Sequence, residues 1–455
     1  MAASTSPASS PSPESPGLPR SAASSASSGP PGVSPSPASS GSPRSAASPA
    51  SVVALPGRPR VTQLRLAAFA GHRRAVLRLG PLTLLAGPSG SGKTSALRAY
   101  DALARLGGGA ELGAVFPDPG ACVPERARPD AQRRRGFRIG CTADGAEGPV
   151  HLDVAVQAEP ELRIVGERLS ADGVVLLETA LRDPGRRAVQ AAWHTAGSAP
   201  VTRAPLPDDR LGTPLLPLRV AGKTDGQRRV LAAAEQMVVA LRSVFACDPR
   251  PDRMREPVPT GSGRLLGGCD NLADVLWRTR AECGRRHAQF VAAVRTGCAG
   301  PVGRAGCRAP RSARARASPP RAPRARGGAR ALIDRGDGTR TGLARLGYGE
   351  LRYLALALVL FTGPGVLEVD PAGEVPAALQ TLTVLADGFD RGLDVDQRAE
   401  LLRLAARMCD RGHIRFVGAV ADASWAAGAV GAAGGAGAAG GDGGPGGVTV
   451  VHLEP

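Results

Sequence analysis

The sequence predicts an α/β fold built around a phosphate-binding loop, with an antiparallel β subdomain and a helical insertion set into the core. Three observations predict it. The octet GPSGSGKT, residues 87–94, joins a short apolar run to a helix-forming one. Residues 137–219 read as successive short strands, and residues 346–455 return to alternating helix and strand. The chain also opens on a polar, proline-rich tail that has no place in such a core.

The loop carries the most specific signal. Gly87, Gly92, Lys93 and Thr94 fit G-x-x-x-x-G-K-[ST], with Pro88, Ser89, Gly90 and Ser91 between them. Glycines let consecutive backbone N–H groups curl around a β-phosphate with no Cβ in the way. The lysine ammonium reaches the β and γ oxygens, and the threonine hydroxyl suits Mg²⁺. The N-terminus of the next helix adds a positive dipole end. Residues 83–86 read as a buried strand and residues 95–106 as an amphipathic helix, the context the motif requires. A chance glycine-serine loop in a glycine-rich chain would not come with that flanking order. A nucleotide with Mg²⁺ is the expected cofactor pair.

Composition bounds the rest. Residues 1–58 are almost entirely Ser, Pro, Ala and Gly, too poor in apolar groups to offset their ordering entropy, so a disordered tail is expected. The tail lacks the charged start and apolar run of a signal peptide. The longest apolar run, residues 354–362, is too short to span a bilayer. A soluble, cytoplasmic protein is expected. The eight cysteines form no C-x-x-C pair and have no histidine cluster nearby, which excludes zinc and disulfide frameworks and leaves reduced thiols.

The net charge of +17 is concentrated. Residues 304–330, within a low-complexity stretch spanning 298–330, hold nine arginines and no acid. Three readings stay open for this run: an arm touching nucleic-acid phosphates without sequence preference, a solvated insertion, or an out-of-frame stretch of a GC-rich gene. An aromatic content of 3% argues against base-stacking platforms.

In chain order, residues 61–66 and 75–79 are short strands leading to the loop strand. From residue 137 the strand runs are separated by Asp144-Gly145, Asp172-Gly173 and Asp183-Pro184-Gly185, the pattern of an antiparallel meander. Residues 226–245 and 271–294 read as helices. Residues 350–422 give helix, strand, helix, strand, a parallel core resumed after a long insertion. A Gly/Ala linker at 426–447 precedes a last strand at 448–453. The division expected is a phosphate-loop lobe at 59–136, an insertion at 137–345 and a second lobe at 346–455.

Leu346-Gly347-Tyr348-Gly349-Glu350, followed by a helix rich in Ala and Leu, resembles the LSGGQ signature of ABC-type ATPases. Residues 61–103 likewise resemble the start of the RecF, SMC and overcoming-lysogenization-defect ATPases, in which a first strand and a phenylalanine, here Phe69, precede the loop. Asn271-Leu272-Ala273, after PDRMREPVP, matches an Asn-Leu-Ala segment of RecF-like chains. The resemblance covers 61–111, about 250–293 and 331–455. It points to an ATP-binding protein of the AAA/ABC-type group, of actinobacterial kind.

The resemblance implies a homodimer on ATP binding, in which the signature of one subunit lies against the γ-phosphate held by the other. It also implies a magnesium-binding aspartate at a strand end, and two residues fit. Asp370 lies twenty residues after Glu350, a spacing typical of the family. Asp387 ends a stronger apolar run and is followed by Leu393-Asp394 as in the family's D-loop. Asp387 is favoured, with 363–380 as an insertion; the plainer alternative is that Asp387 only opens a turn. Three family residues are missing. Gly388 stands where the catalytic glutamate is expected, Gly347 where the signature serine is, and Ala421 where the switch histidine is, while His413 comes too early on its strand. Asp390 is the nearest candidate to polarise the lytic water. These departures imply sound ATP binding and slow hydrolysis. Two other functions fit the same resemblance: a nucleotide-sensing scaffold or regulator without useful turnover, and a DNA-maintenance ATPase, the latter by fold analogy only.

Overall fold

The computed structural model describes residues 57–454 apart from 196–199, 260, 262, 299–303, 309–329, 336, 337, 372, 374, 377, 378 and 432–446. The expected disordered tail therefore lies outside the described residues but for its last two positions, as do most of the basic run and most of the Gly/Ala linker.

The chain begins with the hairpin β1 (Arg60–Phe69) and β2 (His72–Arg78), then β3 (Leu82–Ala86) and α1 (Lys93–Gly107). The short helix α2 (Leu112–Val115) leads to β4 (Arg135–Asp144), β5 (Val150–Glu159) and β6 (Arg163–Ala171). β7 (Val174–Ala180), β8 (Ala188–His194) and β9 (Val201–Pro207) follow. Next come α3 (Asp225–Arg242), β10 (Val244–Cys247), α4 (Pro251–Met254), α5 (Leu272–Glu282) and α6 (Gly284–Gly297). A small sheet is made of β11 (Arg304–Arg308), β12 (Arg330–Asp334) and β13 (Arg340–Gly342). The chain ends with α7 (Tyr348–Phe361), β14 (Leu382–Ala386), α8 (Val395–Asp410), β15 (Ile414–Val420), α9 (Ala426–Gly431) and β16 (Val448–His452).

Five strands in the order β10-β14-β15-β3-β16 make an all-parallel sheet. Such a sheet is covered on both faces, which is why β3, β14 and β15 are unbroken buried runs. Alternate side chains serve two cores. Leu82, Leu84 and Ala86 join a core with α5 to α8, whereas Leu85 joins one with α1, α3 and the antiparallel sheet. Because all five strands run the same way, their C-terminal ends gather along one edge, where an α/β sheet offers its crevice.

The second sheet, β2-β1-β4-β5-β6-β7-β8-β9, is antiparallel. The lobe boundary expected at 136 falls inside β4, and β1 pairs with β4 as well as with β2. The first hairpin is thus part of the meander, because Val61, Leu64, Leu66 and Phe69 share one core with Ile139 and Cys141.

Four further expectations are corrected. The helix expected over 226–245 stops at Arg242, and Val244–Cys247 continues as the edge strand β10. The helix expected over 271–294 is two helices broken at Cys283, whose extended φ of −148° interrupts the turn. The basic run is bounded by strands, β11 and β12, with Arg308 paired to Arg330. The linker expected from 426 begins with α9, whose Ala426 and Ala429 are buried. Among the described residues no helix is long and apolar enough to cross a membrane.

Candidate phosphate site at the end of the parallel sheet

Residues 87–92 form the turn between β3 and α1. Gly90 and Gly92 hold left-handed backbone, φ 87° and 88°, which L side chains adopt only at a cost. A Cβ on Gly92 would also lie 2.6 Å from His72 Nε2. His72, buried on β2, places Nε2 3.0 Å from Gly92 O and so braces the loop from the antiparallel sheet. Lys93 Nζ donates to Gly87 O at 2.6 Å and Pro88 O at 2.7 Å, with Ser91 Oγ at 3.3 Å. The ammonium is therefore held within the loop.

Thr94 Oγ1 lies 3.1 Å and 3.0 Å from Oδ1 and Oδ2 of Asp387, 293 positions away in the chain. Asp387 follows β14, and its N–H donates to Cys247 O at the end of β10 (3.2 Å). Asp370 is elsewhere: its exposed carboxylate accepts from Arg242 Nη2 at 2.8 Å, at the C-terminus of α3. The structure brings Asp387 to the loop and leaves Asp370 outside. A hydroxyl and a carboxylate side by side are hard oxygen donors, the kind Mg²⁺ takes together with phosphate oxygens and water. Among the described residues there is no cluster of three or more His, Cys, Asp or Glu that could hold a metal alone. A cleft of about 330 Å³ opens beside the pair, walled by Asp101, Asp248, Arg250 and Gly267.

The turn after Asp387 holds Gly388, one of the three departures, and Asp390, the candidate for polarising water. Gly388 is left-handed (φ 55°), and a Cβ there would lie 2.9 Å from the Arg391 guanidinium carbon. Asp390 Oδ2 accepts from Ala421 N at 2.9 Å, tying this turn to the end of β15. His413 precedes β15 at the opposite end of that strand from Ala421.

Gly347 caps α7, its N–H donating to Glu350 Oε2 at 3.0 Å, while Leu346 is buried and Tyr348 stays 41% exposed. Gly349 lies against the turn after Asp387: a Cβ on it would sit 2.1 Å from Gly392 O. Residues 346–350, expected to act as a signature, and the Asp387 turn are thus neighbours within one chain.

One residue at this junction was missed in the sequence. Arg352 is 1% exposed. Its Nη1 donates to Asp248 Oδ1 (3.0 Å) and Pro249 O (2.7 Å), and its Nη2 to Asp387 O (3.1 Å) and Gly388 O (2.8 Å). Burying a guanidinium costs several kcal/mol unless it is paired; the four acceptors satisfy Nη1 and Nη2, while the buried Nε has no hydrogen-bond partner among the described residues. A single arginine inside a helix apolar on every side was the available signal. His72 and Asp248 were missed as well. A histidine on an edge strand has no telling spacing, and Asp248 follows a strand whose first half reads as the end of a helix.

Neither a family model nor a curated protein matches this sequence. Among solved structures the chain is similar to an SMC head bound to the C-winged helix domain of ScpA, with 14% identity and a TM-score of 0.41. That match covers 79% of this chain and 90% of that one. It is also similar to the SMC head domain from Thermotoga maritima, with 13% identity, a TM-score of 0.36, and 81% and 92% of the two chains covered. A third is an Smc head domain with an extended coiled coil, bound to the C-terminal domain of ScpA derived from Pyrococcus furiosus. It has 12% identity and a TM-score of 0.41, with 81% and 91% covered. Likenesses this distant leave the site to be read from its own geometry.

Proposed function

We propose that the chain binds ATP with Mg²⁺ at residues 87–94 and hydrolyses it slowly, as an ABC-type P-loop ATPase whose nucleotide state controls pairing with a second copy. One observation carries the reading: Thr94 and Asp387, 293 positions apart, meet at 3.0 Å directly behind the lysine of a glycine-rich loop. The loop amides and Lys93 would grip the phosphates, and Thr94 and Asp387 would hold the metal. Magnesium, when bound, supplies charge neutralisation at the β and γ oxygens. The loop grips phosphates and not a base, so ATP over other nucleoside triphosphates rests on the resemblance to ABC-type ATPases.

Slow turnover follows from what surrounds the metal pair. Gly388 has no side chain to orient a lytic water. Asp390, the other candidate, is anchored through Oδ2 to Ala421 N at the end of β15, which leaves Oδ1 as its acceptor for a water. The missing side chain at Gly388 favours a second reading, a nucleotide-gated regulator without useful turnover. The signature turn, with Tyr348 exposed at its tip, is the surface that a second copy's nucleotide would meet. Titration with ATP, a steady-state turnover assay, and sizing in ATP, in ADP and without nucleotide test the reading together. Tight ATP binding, turnover well below about 1 s⁻¹ and a dimer only in ATP are expected. Absence of ATP binding overturns it; binding with no turnover at all selects the regulator.

A further inference from the structure

Ten consecutive residues of α7, Leu351 to Leu360, are buried. A leucine or methionine at 352 would fill such a site without taking a cation out of water. Arg352 instead sends its guanidinium to the sheet edge, where each half of the fork serves a different strand end. Nη1 holds Asp248 and Pro249 after β10, and Nη2 holds the carbonyl oxygens of Asp387 and Gly388 after β14. The contact to Asp387 is to its backbone and not to its carboxylate. The cation therefore fixes the residue while leaving the carboxylate to Thr94. The backbone it holds is also one that needs holding, because Gly388 is left-handed and has no side chain to anchor it.

We propose that Arg352 is a positioning residue. By clamping the Asp387 and Gly388 carbonyls it sets the Asp387 carboxylate opposite Thr94 for Mg²⁺, and it couples that geometry to the first turn of α7, where residues 347–350 lie. It touches neither nucleotide nor metal. The proposal rests on reading residues 87–94 and Asp387 as a magnesium–nucleotide site.

The test uses the full chain and a fluorescent ATP analogue, titrated in MgCl₂ and in EDTA, with a melting temperature for each variant. The quantity read is the ratio of the two affinities. Residues that orient a metal ligand from behind are worth about 10- to 100-fold in metal affinity. Arg352→Gln is expected to lose about tenfold or more of the magnesium-dependent gain while its affinity in EDTA, set by the Lys93 loop, stays within about twofold of wild type. Arg352→Lys keeps the charge without the fork and should fall between the two. A folded Arg352→Gln protein with the wild-type ratio overturns the proposal, and so does an equal loss in both buffers. If Arg352→Gln fails to fold, Arg352→Lys decides: a wild-type ratio there overturns the proposal equally. Failure of the underlying reading looks different, because wild-type protein then binds no nucleotide, or Lys93→Ala binds it as well as wild type does.

Discussion

Residues 87–94 and the cluster of Asp248, Arg352 and Asp387 meet at the hydrogen bond between Thr94 and Asp387, yet they are built by opposite means. The loop half is contiguous. Its shape comes from glycines whose left-handed backbone no other residue adopts cheaply, and its lysine folds back on the loop's own carbonyls. The facing half is assembled from afar: Asp248 from the end of β10, Arg352 from a buried helix, and Asp387 from the end of β14. A contiguous site can be broken by one residue without disturbing the fold. An assembled one transmits every change to its neighbours.

The sharpest way to break the comparison lies in the contiguous half. Lys93→Ala removes a cation that donates to loop atoms, Gly87 O, Pro88 O and Ser91 Oγ, so stability should hold. ATP affinity should fall by about a hundredfold or more, the loss of two charge-assisted hydrogen bonds to phosphate. A calorimetric or fluorescence titration measures it. Unchanged affinity in a folded Lys93→Ala protein would show that the loop is not the site.

On the assembled side the paired substitutions Asp387→Ala and Asp370→Ala separate the favoured aspartate from its alternative. Asp387→Ala should weaken ATP binding in Mg²⁺ by on the order of tenfold or more, and less in EDTA. Asp370→Ala breaks one exposed pair with Arg242, worth about 0 to 1 kcal/mol, and should leave both affinities alone. The reverse pattern in the two proteins would move the metal site to Asp370.

The same contrast explains what could be read beforehand. The loop, the meander and the helix–strand alternation of the second lobe each leave a local pattern: glycine positions, turn dipeptides or a period. β10 did not, since Val244–Cys247 is four apolar residues directly after a helix, and no period can be told from so few. Losing that strand lost Asp248 with it. Arg352 was in plain view but could not be interpreted, because its four acceptors come from two turns that are remote in sequence. Asp387 is preferred to Asp370 for the stronger apolar run before it and for Leu393-Asp394 after it, and that run is the strand β14, buried at every position.

Gly388→Glu gives a smaller effect and sharpens the assembled half. With φ at 55° a glutamate there costs about 1 kcal/mol in strain. Its side chain would start 2.9 Å from the Arg391 guanidinium, which would pair the new carboxylate before it reached a water. Stability should drop by that amount and turnover should stay below about 1 s⁻¹. A large acceleration in single-turnover hydrolysis would mean that the turn relaxes and that only the missing carboxylate limits the wild-type rate.

The smallest effect on the site should come from the basic run. β11 and β12 are antiparallel with Arg308 opposite Arg330, so the connection between them can be replaced by a four-residue turn without moving either strand. Residues 309–329 carry six of the nine arginines. Removing them should leave ATP affinity within about twofold and stability unchanged or raised by about 1 kcal/mol, because a shorter loop costs less to close. Nucleic acid then decides what the run is for. Each phosphate contact contributes about 0.9 to the slope of log affinity against log salt on duplex DNA, so an arm using all six arginines would make that slope about 5 shallower on deletion. Equal slopes in the two proteins would leave the run as a solvated insertion. A fall in ATP affinity would instead show that β11 and β12 carry strain from this segment to α5, against which both pack.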